Sequence, residues 1–331
     1  MKAIVINQYG PPDVMRLQDI DKPVVKDDQV LVRVMAAGIN PHDWRVLRSD
    51  PYLVRLFIKG LRKPPANTVL GSDMAGVVEA VGRDVRQFRL GDEVYAEIGF
   101  GGLAEYVAVA EGRVAHKPAN LTFEQAAAVP MAAITALCAL RPAGRLAPGQ
   151  TVLVNGASGG VGSFAVQLAK ALGAGEVTGV CSGGNMELVR SIGADHAIDY
   201  AHEDFTHSPR RYGMVVDAVG NHPLAELRRV LDRDGTFVLV GGLKGGGRLL
   251  GPMAQVLQVK LLARFAPPQR LVTVTAKPNG DDLEFLRGLI EAGKVTPVID
   301  RVYPLAEAAD AMRYLEQGHA RGKVVVTVAA S

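Results

Sequence analysis

Two cysteines, Cys138 and Cys181, are all the thiol this 331-residue chain carries. No disulfide framework can hold it, and no cysteine-based structural zinc site can be assembled. That scarcity fits a reducing compartment, and we expect a cytoplasmic protein. There is no block of charge of one sign: 37 basic and 34 acidic residues are mixed along the chain for a net +3, which gives no footprint for nucleic acid. The nearest basic cluster, Arg55, Lys59, Arg62 and Lys63, alternates with Leu, Phe and Ile and reads as a solvated helix face. The start, Met1-Lys2-Ala3-Ile4-Val5-Ile6-Asn7, turns polar too soon for a signal peptide. The apolar stretch Ala126 to Leu140 is short for a membrane span and contains Pro130. No repeat of solenoid length is found.

What is present is core-forming material, 48% hydrophobic against 21% charged, with 37 glycines and 19 prolines for tight turns. The length favours two domains. From Met1 to about Pro118 the chain shows short β-rich runs, such as Gln29 to Met35 and Met74 to Val81, broken by Gly-Asp, Pro-Pro and Gly-Gly. That rhythm predicts an antiparallel or barrel-like body. From about Leu121 strands and helices alternate. A helix is expected over Phe123 to Arg141, then a strand Thr151 to Asn155, a helix Val161 to Leu172, and a strand Glu176 to Cys181. A helix Met186 to Ile192 and strands near Ala197, Met214 and Thr236 continue the pattern, which builds a doubly wound parallel sheet. A helix Ala306 to Gln317 and the run Lys323 to Val328 return to the first rhythm. The expected division is 1–121 with 270–331 for one domain and 122–269 for the other.

The sharpest local signal is Val152-Leu153-Val154-Asn155-Gly156-Ala157-Ser158-Gly159-Gly160-Val161-Gly162, leading into an amphipathic run to Lys170. An apolar strand ends in small residues before a helix. The turn Ser158, Gly159, Gly160, Val161, Gly162 can therefore set helix-start N–H groups against a pyrophosphate with no Cβ between. Tight packing alone is the bland alternative. No Gly-Lys-Ser/Thr follows, so this is not a Walker loop. The next strand ends at Cys181-Ser182, where an NAD-binding chain normally carries a carboxylate. Ser182 and Asn185, with Arg190 a turn away, can accommodate a 2′-phosphate, which favours NADPH; the same residues could instead cap the helix beginning near Met186. Val219-Gly220 and Gly241-Gly242 follow expected parallel strands, where such sheets bind ligands, and are expected to touch the nicotinamide.

Several motifs together are specific: Ala36-Ala37-Gly38-Ile39-Asn40-Pro41-His42-Asp43, Gly71-Ser72-Asp73-Met74-Ala75-Gly76, Gly91-Asp92-Glu93-Val94, Ala104-Glu105-Tyr106, the glycine loop, and Gly322-Lys323-Val324-Val325. Over essentially its whole length the chain resembles the medium-chain dehydrogenase/reductase superfamily, and within it the zinc-independent quinone oxidoreductase-like enzymes. The resemblance implies an α/β fold: a GroES-like β-rich catalytic domain from both ends of the chain and a Rossmann domain between, with the coenzyme in the cleft. In the zinc-dependent branch a cysteine stands where this chain has Asn40 and a His-Glu pair where it has Ser72-Asp73, so no metal is expected.

Residue roles follow from the same match. The resemblance places Asn40 beside the nicotinamide and in reach of substrate oxygen, although an Asx turn would also explain it. It places Thr135 under the coenzyme, Tyr200 at the adenine end and Lys323 near the coenzyme. The competing readings are helix packing, an ordinary strand-end tyrosine and a surface lysine. Gly184 stands where a related pattern has arginine, which removes one cation from the 2′-phosphate end. The segment Arg48 to Pro65, with Tyr52, Leu53, Leu56 and Phe57, is a candidate substrate mouth, and Tyr52 a second catalytic candidate.

None of the eight tyrosines has Lys four residues on. With no metal and no Tyr-Lys pair, an activated acceptor is expected, a quinone or an α,β-unsaturated carbonyl, whose enolate asks less of the protein than an isolated alkoxide. The expected protein is an NADPH-dependent, zinc-independent oxidoreductase with a small-molecule acceptor and neither nucleic-acid nor membrane partners; a homodimer is compatible with the sequence. The alternative is a non-catalytic NADP(H)-binding protein with a structural or redox-sensing role, since a glycine loop reports binding and not chemistry.

Overall fold

The eleven-residue run Gln29–Ile39, mostly apolar or small, is the strand around which a seven-stranded sheet assembles. Along one edge its first half takes Tyr106–Ala110 and its second half Lys323–Thr327, while Asp73–Val81 lines the other edge, all antiparallel. Glu93–Glu97 and Val114–His116 extend the sheet beyond Asp73–Val81, and Ile299–Pro304 pairs in parallel with Lys323–Thr327 at the far edge. A three-stranded sheet of Arg16–Asp19, Lys2–Ile6 and Thr68–Val69 accompanies it. One buried cluster joins Ile4, Ile6, Ile39 and Leu47 from the start of the chain to Met312, Val324 and Val326 from its end. The apolar strand at the C-terminus thus buries itself against the N-terminal segment, as the return of the β-rich rhythm implied.

The computed structural model describes residues 1–51, 62–241 and 253–328. Its chain divides into two units, Met1–Ile134 with Lys277–Gly293 and Pro297–Ser331, and Thr135–Ala276 with Lys294–Thr296. The first unit runs on past residue 121 because the helix Phe123–Ala127 packs on the strands Gln29–Ile39 and Asp73–Val81. The return comes at Lys277 rather than 270 because Arg270–Thr273 is the last strand of the second unit's sheet.

That second sheet is wholly parallel, in the order His196–Asp199, Glu176–Cys181, Thr151–Asn155, Tyr212–Asp217, Leu231–Leu239, Arg270–Thr273. Counted along the chain this is 3-2-1-4-5-6, the dinucleotide-binding order of a doubly wound fold. The expected single helix over Phe123 to Arg141 is instead Phe123–Ala127, Pro130–Cys138 and a π-helical turn Ala139–Ala143. Pro130 has no N–H to continue the first helix and opens the second, where a missing donor costs nothing. Among the described residues no helix is long and apolar enough to cross a membrane.

The core of the second unit gathers Phe205, Tyr212, Leu227, Phe237 and Leu271. Phe237 is 1% exposed, so Phe237→Ala should lower stability by about 3–5 kcal/mol through lost transfer energy and a residual cavity. Urea denaturation followed by circular dichroism checks this; a loss below about 1 kcal/mol would contradict the packing.

Candidate active site and coenzyme-binding residues

Four neighbouring strands of the seven-stranded sheet alternate in direction, so the start of Lys323–Thr327, the end of Gln29–Ile39, the start of Asp73–Val81 and the end of Glu93–Glu97 all lie at one end. Lys323, Asn40, Asp73 and Glu97 occupy those four positions, and all are buried. Backbone constraints put them there. Gly38 pairs with Asp73, and a Cβ on it would stand 2.3 Å from the Ala127 carbonyl oxygen. Gly322 has φ +85°, and its Cβ would meet the Val298 carbonyl oxygen at 2.3 Å. After Ile39 the chain turns into the helix Pro41–Arg48 with Asn40 as its extended N-cap and Pro41 at its first position.

The side chains form one hydrogen-bonded network. Lys323 Nζ donates to Asn40 Oδ1 and to Asp73 Oδ2, the latter at 3.2 Å. Asn40 Nδ2 donates to Asp73 Oδ2 at 2.9 Å, and the other carboxylate oxygen accepts from the Met131 N–H at 2.9 Å. Lys323 and Asp73 are thus a buried ion pair with side-chain exposures of 3% and 0%. Below it, Asp43 accepts from the Asn40 N–H at 2.7 Å, the Gly71 N–H at 3.1 Å and the Ser72 hydroxyl at 2.8 Å. Burial pushes Asp43 above the usual carboxylate range, against the pull of His42, the Ser72 hydroxyl and the Asn40 N–H.

Glu97 stands opposite Asp73 across the strand pair and is 8% exposed. Its Oε2 is buried with no hydrogen-bond partner among the described residues. Burial, reinforced by the Asp73 carboxylate and opposed by Lys323 and Arg113, pushes its carboxyl up to about 7.

In the second unit the strand Thr151–Asn155 passes through Gly156, at φ +85°, into the helix Gly160–Ala171 with Gly159 as N-cap. A Cβ at Gly162 would lie 2.0 Å from the Gly156 carbonyl oxygen, and one at Gly156 2.7 Å from Val219 Cγ2. The N–H groups of Gly160, Val161 and Gly162 belong to the first turn, where a helix supplies no acceptors of its own. This cradle fits a pyrophosphate. Ser158 Oγ accepts from Asn185 Nδ2 at 3.1 Å, and Asn185 Oδ1 is buried without a partner among the described residues. Ser182 and Asn185 make no side-chain cap to the helix Met186–Ser191 or to the short turn before it, so capping does not account for them. Tyr200 is 56% exposed, and its N–H donates to the Cys181 carbonyl, beside Ser182.

The turn after the fourth strand differs from a free ligand-binding backbone. The N–H groups of Val219 and Gly220 both donate to Asp217 Oδ1, which also accepts from Asn155 Nδ2. Asp217 is pushed upward by burial. Gly241 follows the end of Leu231–Leu239, and Thr135 sits half-buried in the helix Pro130–Cys138. Tyr52 and Gly242 lie outside the described residues.

The structure therefore joins Asn40 and Lys323 in one network and Ser158 and Asn185 in another. Asp73 and Asp43, which the sequence offers only as members of their motifs, are the partners that hold the first network, and Glu97 carries no signal beyond its place at the end of a β-rich run. Asp199 was also missed. Its Oδ2 would lie 2.6 Å from a Cβ at Gly183, which explains a glycine after Ser182, and hydrogen bonds from the Ala201 N–H and His202 hold its carboxyl below the usual range.

Comparison with known proteins bears on these residues. Residues 26–119 match the alcohol dehydrogenase GroES-like domain, and residues 192–326 the family described as zinc-binding dehydrogenase. A 2-methylene-furan-3-one reductase of Solanum lycopersicum and an NADPH-dependent alkenal/one oxidoreductase, chloroplastic, of Arabidopsis thaliana are each 40% identical over 98% of this chain and 79% of theirs. The structure of the quinone oxidoreductase from Coxiella burnetii superposes with a TM-score of 0.84 at 31% identity, covering 99% of both chains.

Because Glu97 titrates higher when folded than its ordinary 4.5, its contribution to stability is fully present below about pH 4.5 and is lost as the pH rises through about 7. At about 1.4 kcal/mol per unit, that withdraws about 3 kcal/mol. Glu97→Gln should gain stability relative to the parent by up to about that amount between pH 5 and pH 8 in urea titrations. A difference independent of pH would show that the carboxyl is ionised throughout.

Proposed function

The chain belongs to the medium-chain dehydrogenase/reductase superfamily, in its quinone oxidoreductase-like branch, and on that premise we propose an NADPH-dependent reductase of quinones or α,β-unsaturated carbonyls that works without zinc. Reduction of an enone or quinone acceptor is what these relatives' names have in common, and one of them is named as NADPH-dependent. That common chemistry disfavours a coenzyme-binding protein without turnover.

One observation carries the residue assignment: Asn40 is fixed between Lys323 and Asp73 with its Oδ1 and one Nδ2 proton committed. Its second Nδ2 proton has no partner among the described residues, and it is the donor available to an acceptor's carbonyl oxygen as negative charge develops there. Lys323, donating to Asn40 Oδ1, polarises the amide and strengthens that remaining N–H.

Zinc does not fit the same place. The Asp73 carboxylate is already saturated by an ammonium, an amide and a backbone N–H, and Asn40 and Ser72 offer neutral oxygens where a thiolate or imidazole would be needed. NADPH does fit the second unit. The turn Ser158–Gly162 would hold its pyrophosphate, and Ser182, Asn185 and Tyr200 its 2′-phosphate end. Thr135, Val219, Gly220 and Gly241 are assigned to its nicotinamide side, Val219 and Gly220 through groups other than their committed N–H. When bound it supplies the hydride. The two cysteines, neither in a disulfide, support a reducing compartment, and we assign the cytoplasm.

NADPH oxidation should be seen with a quinone and with an enal, undiminished after exhaustive chelation. Asn40→Ala should lower kcat/KM for a conjugated acceptor by about ten- to a hundredfold, the range for losing one hydrogen bond of about 1–3 kcal/mol at a desolvated site, with NADPH affinity within a few fold of the parent. Parental turnover by Asn40→Ala on every acceptor would move the site elsewhere, and activity restored only by zinc would overturn the metal-free reading.

A further inference from the structure

Reduction of a conjugated carbonyl takes one hydride, which carries both electrons, and one proton. NADPH accounts for the hydride and its two electrons, and the proton needs an acid within reach of the enolate. The polar network at the strand ends contains more carboxyl groups than cations. Among the described residues the network holds one buried ammonium, Lys323, paired with Asp73; His42 acts on Asp43, and Arg113, in the exposed turn Glu111–Arg113, acts with Lys323 on Glu97. Asp73 is satisfied by three donors and Asp43 by three more. Glu97 has neither. It is buried opposite Asp73, and Oε2 has no partner among the described residues. A carboxylate so placed would face Asp73 with no hydrogen bond at Oε2 to spread its charge, so the state that suits the site is the neutral acid.

Resting on the assignment of Lys323 and Asn40 to the acceptor site, we propose that Glu97 is the proton store of the reduction, a positioning residue that acts through Lys323. Hydride addition leaves an enolate on the acceptor. One N–H bond of Lys323 breaks and its proton completes the saturated carbonyl, leaving a neutral amine. The O–H bond of Glu97 then breaks and the ammonium re-forms, a transfer favoured because an amine is the stronger base. Glu97 regains its proton from solvent before the next turnover. No further oxidant or reductant is required. The groups that set its readiness are Asp73 on the neighbouring strand, Lys323 at the start of the C-terminal strand, and Arg113. Since the proton is regained only below the pH at which Glu97 ionises, about 7, turnover should fall as the pH rises through that value.

The test combines infrared titration of the free protein with pH profiles of Glu97→Gln. The wild type should show a protonated-carboxyl band that disappears with a midpoint near pH 7 and is absent from the variant. Wild-type kcat with an enal should fall across the same range. The variant should turn over about tenfold more slowly at pH 6, with no break near neutrality and with unchanged NADPH affinity by fluorescence titration. A variant whose profile superimposes on the wild type overturns the proposal, as does a band midpoint in the ordinary carboxylate range. If the variant does not fold, the wild-type band and the wild-type kcat break decide, and a mismatch between their midpoints overturns it. Absence of turnover with every acceptor, in a protein whose band still titrates near neutrality, would instead locate the failure in the reductase assignment.

Discussion

An ammonium and a carboxylate 3.2 Å apart, neither more than 3% exposed, set the terms for one end of the first unit. Removing two such ions from water costs several kcal/mol each, and their attraction offsets that only if the remaining lone pairs and protons are also satisfied. Asn40 and the Met131 N–H do this for Asp73. The requirement reaches into the backbone. Lys323 can start its strand only because Gly322 adopts a left-handed conformation against Val298, and Asp73 can lie beside Gly38 only because no Cβ crowds Ala127. Losing either ion would leave the other buried and uncompensated, a cost of about 3–5 kcal/mol, so the pair is structural as well as chemical.

The same pair fixes the amide. A free asparagine side chain rotates and offers either end to any partner. With Oδ1 held by Lys323 and one N–H by Asp73, Asn40 has a single orientation and a single free donor. Orientation fixed before the reaction begins is what makes a neutral donor effective toward developing charge.

The second unit solves a different problem with different means. The glycine loop presents backbone rather than side chains, so what matters is the absence of Cβ atoms at Gly156 and Gly162 and the direction of the helix Gly160–Ala171, the features a diphosphate site needs. Asp217 completes this arrangement from the neighbouring strand, tying Asn155, Val219 and Gly220 to one carboxylate oxygen. The turn beside the glycine loop is thereby rigid, and its N–H groups are structural rather than ligand-binding.

Local information carried the strand-helix alternation, the glycine loop and the missing zinc ligands, because each depends on residues adjacent in the chain. The strands Thr151–Asn155 and Glu176–Cys181 lie where the apolar runs placed them. The uninterrupted helix from Phe123 was a failure of the same kind of reasoning, since Pro130 was visible and its missing N–H should have ended the segment. By contrast, nothing local distinguishes Asp73 or Glu97 from any acidic residue at a strand end. Their significance comes from four strands distant in sequence, alternating in direction, so that residues 40, 73, 97 and 323 lie buried at one end of the sheet. The motif residues Asn40 and Lys323 and the glycine loop were legible in the sequence. Which carboxylates lie beside Lys323 and one another was decided by the pairing of strands, because Coulomb interactions and desolvation depend on distance and burial rather than on order along the chain.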